Sequence, residues 1–223
     1  MPVMLKFIRN LRHSLVLKLI VSVGIIMLLI ISTWAYFSIE YQKERLYKGI
    51  VSETERLGNT IKLGAHYAMM INSRDDINQI IMNIGRQRGI EDIRIYNKQG
   101  EVKFSNRPLE VNRMANIKSE ICSICHRTDP PLWNIGIEER TRIFNSPQGY
   151  RLLGIVSPIL NEPGCSSSDC HFHPQGVKIL GALDVVISLK DTDKEILFQE
   201  KGIIGLAAMA FLVTSVFILF LVK

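Results

Sequence analysis

The pattern of apolar and polar positions changes regime several times along the chain. Leu19 to Ile39 and Gly202 to Val222 carry no charged residue and are dominated by aliphatic side chains. Each is about 20 residues, enough to cross the apolar core of a bilayer as a helix. Between them, Glu40 to Ser73 lacks proline and spaces Leu46, Ile50, Leu57, Ile61, Ala65, Ala68 and Met69 at helical intervals, which predicts a long helix. Asn72-Ser73 breaks it. Ser73-Arg-Asp-Asp76 followed by Ile77, Ile80, Ile81 and Ile84 predicts a capped second helix ending near Gly85 or Gly89. The period then shortens to two. Ile93-Arg-Ile95-Tyr and Glu101-Val-Lys-Phe104 flank an Asn97-Lys-Gln-Gly100 turn, the pattern of a β-hairpin. Residues 108–121 read as a helix or loop. Arg140-Thr-Arg-Ile-Phe144 and Tyr150 to Ile159 make a second hairpin around Pro147-Gln-Gly149. Val177 to Leu189 is a strand of mostly buried type, and Asp191 to Lys201 starts a helix that enters the second apolar stretch.

These elements predict an α+β fold: an antiparallel sheet of about five strands with a long N-terminal helix packed on it, flanked by two transmembrane helices. The expected division is a basic N-terminus at 1–18, a first span at 19–39, a folded domain at 40–201 and a second span at 202–222. No small-residue cleavage pattern follows the first span, since Thr33-Trp34-Ala35-Tyr36-Phe37 is bulky, so it reads as an uncleaved anchor. Trp34, Tyr36 and Phe37 suit the membrane interface.

Charge adds a direction. The net charge is +6, but Lys6, Arg9, Arg12 and Lys18 precede the first span and Lys223 follows the second, while all 21 acidic residues lie between the spans. The middle is near neutral and the excess is juxtamembrane, which speaks against nucleic acid as a partner. It is the positive-inside signature of a protein with both ends in the cytoplasm and residues 40–201 outside. The expected location is the bacterial inner membrane, with the main domain in the periplasm.

The four cysteines fall in two stretches, Cys122-Ser-Ile-Cys125-His126 and Cys165-Ser-Ser-Ser-Asp-Cys170-His171. The first is the C-x-x-C-H pattern that attaches a c-type haem. Two thiols add across the porphyrin vinyl groups, and the histidine beside the second thiol becomes the proximal axial ligand. The second stretch has four residues between its cysteines, and a bulged loop of that length still spans two vinyls. Other chemistries suit the same residues: a redox disulfide, a single zinc knot, or a pair of local disulfides. The zinc reading leaves unexplained why a histidine directly follows the second cysteine in both stretches. The expected cofactors are therefore two covalently attached haem c groups, held by Cys122, Cys125, Cys165 and Cys170, with iron ligands His126 and His171. For the opposite axial positions the candidates are His66 and His173, with Met69, Met70, Met82 and Met114 as thioethers; His13 falls on the cytoplasmic side. The competing reading for the methionines is core packing, and for His66 a surface position.

The stretch Ile90-Glu-Asp-Ile-Arg-Ile-Tyr-Asn-Lys-Gln-Gly-Glu101, with a terminal strand running into a second membrane helix, resembles the single Cache (PAS-like) sensor domains of bacterial sensor kinases and chemoreceptors. Pro158 to Cys165, Cys170-His-Phe-His-Pro174 and Leu180-Gly-Ala-Leu-Asp184 are similar to the variant that carries haem c. The resemblance covers roughly residues 15–222. It implies a haem-based redox or gas sensor that signals across the membrane, dimerising along its long helices and taking a small diatomic ligand. Such sensors continue into a signalling domain, whereas this sequence stops at Lys223, so the output is expected in a separate signalling or redox partner. The alternative is a dihaem cytochrome c electron carrier linked to a membrane respiratory or extracellular electron-transfer chain. No nucleophile triad, phosphate loop or carboxylate pair points to an enzyme.

Overall fold

The structure is a computed structural model that describes residues 15–115, 124, 126, 128, 132, 134–162, 165, 174 and 176–221. The chain divides into two compact units, one running to Leu46 and resuming at Thr192, the other comprising Tyr47–Asp191.

The first unit is helical. It contains the start of α1 (Leu15–Met70) and most of α4 (Lys190–Leu221). Ile25, Leu29, Trp34 and Phe37 on α1, and Leu206, Leu212 and Phe217 on α4, are exposed. A helix in a soluble core would bury such side chains. Both helices are long and apolar enough to cross a membrane. Charge returns beside these stretches, where Lys43 pairs with Glu200 between Ile39, Leu46, Ile196 and Ile203.

The second unit is the α+β fold anticipated from the periodicity. After α1, Asn72 adopts a left-handed backbone (φ 54°) and turns the chain into α2 (Arg74–Gly85). Ser73 is the N-cap, as expected, but its hydroxyl bonds the Asp76 carboxylate at 2.6 Å rather than a free backbone N–H. Five strands follow: β1 (Ile90–Asn97), β2 (Val102–Ser105), β3 (Thr141–Asn145), β4 (Arg151–Leu160) and β5 (Ile179–Ser188). They form one antiparallel sheet in the order β2-β1-β5-β4-β3. The first hairpin turns where the sequence places it. The Asn97 side-chain carbonyl accepts from the backbone N–H groups of Gln99 and Glu101, and Gly100 supplies the positive φ. Pro108–Glu110 is a single 3-10 turn in the stretch expected to be helix or loop. A one-turn helix, α3 (Ile137–Arg140), precedes β3.

One sheet face packs under the helices. Ile93 and Ile95 of β1 and Leu183 and Val185 of β5 meet Ile61 and Ala68 of α1 and Ile77 and Ile81 of α2. Further back along α1, Tyr47, Ile50 and Val51 cover Leu153 and Ile155 of β4, together with Leu189. Gly58 sits over the middle of this contact; its missing Cβ would lie 3.8 Å from both Leu183 and Ser157.

Candidate functional site

The period of α1 gives it two adjacent stripes. Thr54, Gly58, Ile61, Ala65 and Ala68 are buried against the sheet. One residue further on, Glu55, Asn59, Lys62, His66 and Met69 follow the same alternating four-and-three spacing, which keeps them on one side of the helix. That second stripe lines a cavity of about 690 Å³, within the usual range for small-molecule sites. Ile95, Phe104, Ile159 and Gly181 supply apolar wall from the sheet, and Ile135, Leu160, Glu162 and Cys165 also line it. Gly181 is required where β5 approaches β1, because a Cβ there would overlap the Tyr96 carbonyl oxygen.

Charge along the stripe gives way to soft donors. Arg140, 9 % exposed, donates to the carbonyls of Ile135 (3.0 Å) and Val156 (3.1 Å), to the Ser157 hydroxyl (3.0 Å) and to Glu55 (2.8 Å). It thereby joins α1 to β4. Lys62 is half-buried, and desolvation, followed by repulsion from Arg140, holds its ammonium below the ordinary lysine range. It has no hydrogen-bond or ion-pair partner among the described residues. Lys103, also on the wall, is held by Glu101 at 2.7 Å. One turn beyond Lys62 come His66, and then Met69 and Met70.

The residues singled out in the sequence are distributed as follows. His66, Met69, Met70 and Cys165 line the same cavity. His126 is exposed and is not among the lining residues. Met114 is exposed beside Glu101, with which it forms an isolated β-bridge. Cys122, Cys125, Cys170, His171 and His173 lie outside the described residues. Among the described residues no group of three or more His, Cys, Asp or Glu is arranged to hold a metal ion by itself. The described lining of the cavity has residue types that suit a haem. It has apolar walls, an imidazole and two thioethers of the kind that ligate haem iron, and a thiol of the kind that forms the thioether link.

Lys62, Arg140 and Glu55 were not identifiable as cavity residues from sequence; the one available signal was their helical spacing relative to His66 for the two on α1. The opposite sheet face holds another feature that periodicity did not reveal. Asp184 of β5 is fully buried between Arg142 (2.8 Å) and Arg94 (3.5 Å). Arg94 also binds Glu110 through two nitrogens, at 2.6 and 2.9 Å, and Asp92 at 3.0 Å, while Arg107 reaches Asp92 at 2.6 Å. The Arg94 hydrogen bond holds the Glu110 carboxyl below its ordinary range.

No family model matches the sequence, and no curated protein matches it. An extracellular ligand binding receptor from Desulfohalobium retbaense DSM5692 aligns with 61 % of this chain at 10 % identity and a TM-score of 0.31. The aligned region is 24 % of the receptor, so the chain corresponds to about a quarter of that protein's length.

Proposed function

We propose that this chain is a membrane-anchored periplasmic c-type dihaem protein, and that its Tyr47–Asp191 unit is a haem-based redox or gas sensor of PAS/Cache type. The observation that carries the reading is the convergence of His66, Met69 and Met70 from α1 with Cys165 from the second cysteine motif on one cavity. The α1 residues and Cys165 are about 100 positions apart in sequence, and the motif at Cys165 is defined by residue spacing alone, independently of the fold. The two apolar helices and the basic N-terminus support an inner-membrane anchor with the unit outside.

In this reading Cys165 and Cys170 attach one haem, with His171 as its proximal ligand. His66 takes the opposite axial position, with Met69 and Met70 as neighbouring thioethers. Cys122, Cys125 and His126 hold the other haem, and His173 is the second candidate for a distal ligand. When bound, haem supplies one-electron chemistry and an iron position that a diatomic gas can occupy. The chain's own part is to enclose the ring in apolar walls and to set the ligand field. Signalling also requires two conformations with different ligand affinity, a homodimer through the long helices and a separate output partner.

The test is a pyridine haemochrome assay on the full chain in detergent, with reduced spectra before and after carbon monoxide or nitric oxide. Two covalent haems per chain, one shifted by gas, is the expected result. One haem would reduce the second motif to a disulfide loop, and none would return the cysteines to zinc or disulfides. Two haems that both ignore gas would replace sensing by electron transfer between a membrane complex and outside acceptors.

A further inference from the structure

The cavity contains a cation that has no ion-pair partner among the described residues. Lys62 projects from the same stripe as His66, one helical turn away, or about 6 Å along the axis. Its neighbours on the wall are already committed. Arg140 donates to two carbonyls, a hydroxyl and Glu55, and Lys103 is taken by Glu101. Glu55 and Glu162 act on Lys62 from a distance, yet neither lies within ion-pair range of it. A half-buried ammonium is costly unless an anion meets it. The wall beyond it includes the apolar side chains of Ile95, Phe104 and Ile159. A ligand matching this distribution has a large apolar body and a carboxylate on one edge.

We propose that Lys62 is the cavity's anchor for a haem propionate, with the buried Arg140 guanidinium fixing a positive field behind it. The inference rests on the reading of the cavity as a haem site and adds to it the residue that sets the orientation of the ring's polar edge. Lys62 is a positioning residue, because it meets the periphery of the ring and not the iron. Its charge also favours the ferrous state, which carries one positive charge fewer than the ferric.

The experiment uses the full chain in detergent as wild type, Lys62→Met and Lys62→Arg. Haem is counted by pyridine haemochrome, the propionate bending band is followed by resonance Raman, and midpoint potentials are titrated. The expected result is two haems in all three proteins. In Lys62→Met the propionate band of one haem shifts, and its ferric-to-ferrous ratio at fixed potential rises about tenfold, which is about 59 mV for a one-electron couple. Lys62→Arg stays near wild type. Lys62→Gln gives a second neutral reading should the methionine disturb folding, as monitored by circular dichroism. Wild-type protein without haem would overturn both the functional reading and this assignment. Haem-replete protein whose band and potentials are unchanged in Lys62→Met and Lys62→Gln would overturn the assignment alone. So would a potential that responds to Lys62 only when acetate is added, since that would give Lys62 a free carboxylate as its partner.

Discussion

Replacing Arg140 by methionine tests whether the clasp between α1 and β4 holds the unit together. The substitution keeps most of the side-chain volume and removes all four of the polar contacts described above. Ser157, 2 % exposed, and the Val156 carbonyl lose a charged donor without gaining access to water. A hydrogen bond to a charged group contributes about 1.5–3 kcal/mol, and leaving a buried acceptor unsatisfied costs about 1–3 kcal/mol. The contacts share one guanidinium and do not add in full, so the expected loss is about 3–5 kcal/mol. That is a large part of the roughly 5–15 kcal/mol that holds a domain folded. At about 2–4 °C per kcal/mol for a unit of this size, the melting temperature falls by about 10 °C. Glu55→Gln provides the contrast. The Glu55 side chain is 34 % exposed, and Arg140 keeps three other acceptors in that variant, so the cost is expected to stay near 1 kcal/mol. Thermal melts followed by far-ultraviolet circular dichroism compare the three proteins. Equal losses for Arg140→Met and Glu55→Gln, or an unchanged melt for Arg140→Met, would refute the clasp.

Four further outcomes follow from the same geometry. Gly181→Ala forces β5 away from the Tyr96 carbonyl and is expected to cost about 1–3 kcal/mol in urea titration; a neutral result would mean the strands can separate freely. Gly58→Ala meets only ordinary contacts in a helix and should stabilise by roughly 0.5–1 kcal/mol, a sign that destabilisation would reverse. Glu110 has a depressed pKa, so its contribution is present above the unfolded value of about 4.3 and is lost as pH falls through the folded value. The penalty of Glu110→Gln relative to wild type should therefore shrink in acid, and a penalty independent of pH would count against the Arg94 pairing. His66→Ala should convert one haem from low-spin to partly high-spin in the visible spectrum, and an unchanged spectrum would remove His66 as an axial ligand.

Local patterning carried most of the architecture. The Asn97–Gly100 turn, the break at Asn72 and the five strands are set by neighbours in sequence, and hydrophobic period reports such features well. The polar interior was not legible in the same way. Arg94 lies in an alternating strand, where its position suggests solvent, but in the folded sheet it joins Asp184, 90 residues away. Arg140 reads as the start of a strand, and it is instead the end of a one-turn helix aimed at α1, 85 residues upstream. Burial of a charge is decided by which distant strand faces it, and residue spacing does not encode that. The lone Asp184 in an otherwise apolar strand was the visible trace of the second-face network. For the candidate site, Cys165 and His66 could each be singled out by residue type, whereas only the fold places them on one cavity.

The strand order also sets an assembly sequence. β5, the last strand to be made, occupies the centre of the sheet, between β1 and β4. The two hairpins can form as each is synthesised, but no strand pairing joins them until residues 179–188 arrive. Both cysteine motifs precede that strand, and Leu180 and Gly181, which complete the cavity wall, belong to it. The thiols are therefore made while the chamber still lacks a side. Closure is a late, long-range event of the slow kind, and if the proposed haem is the ligand, it would leave an interval for the rigid ring to enter before the final strand completes the wall.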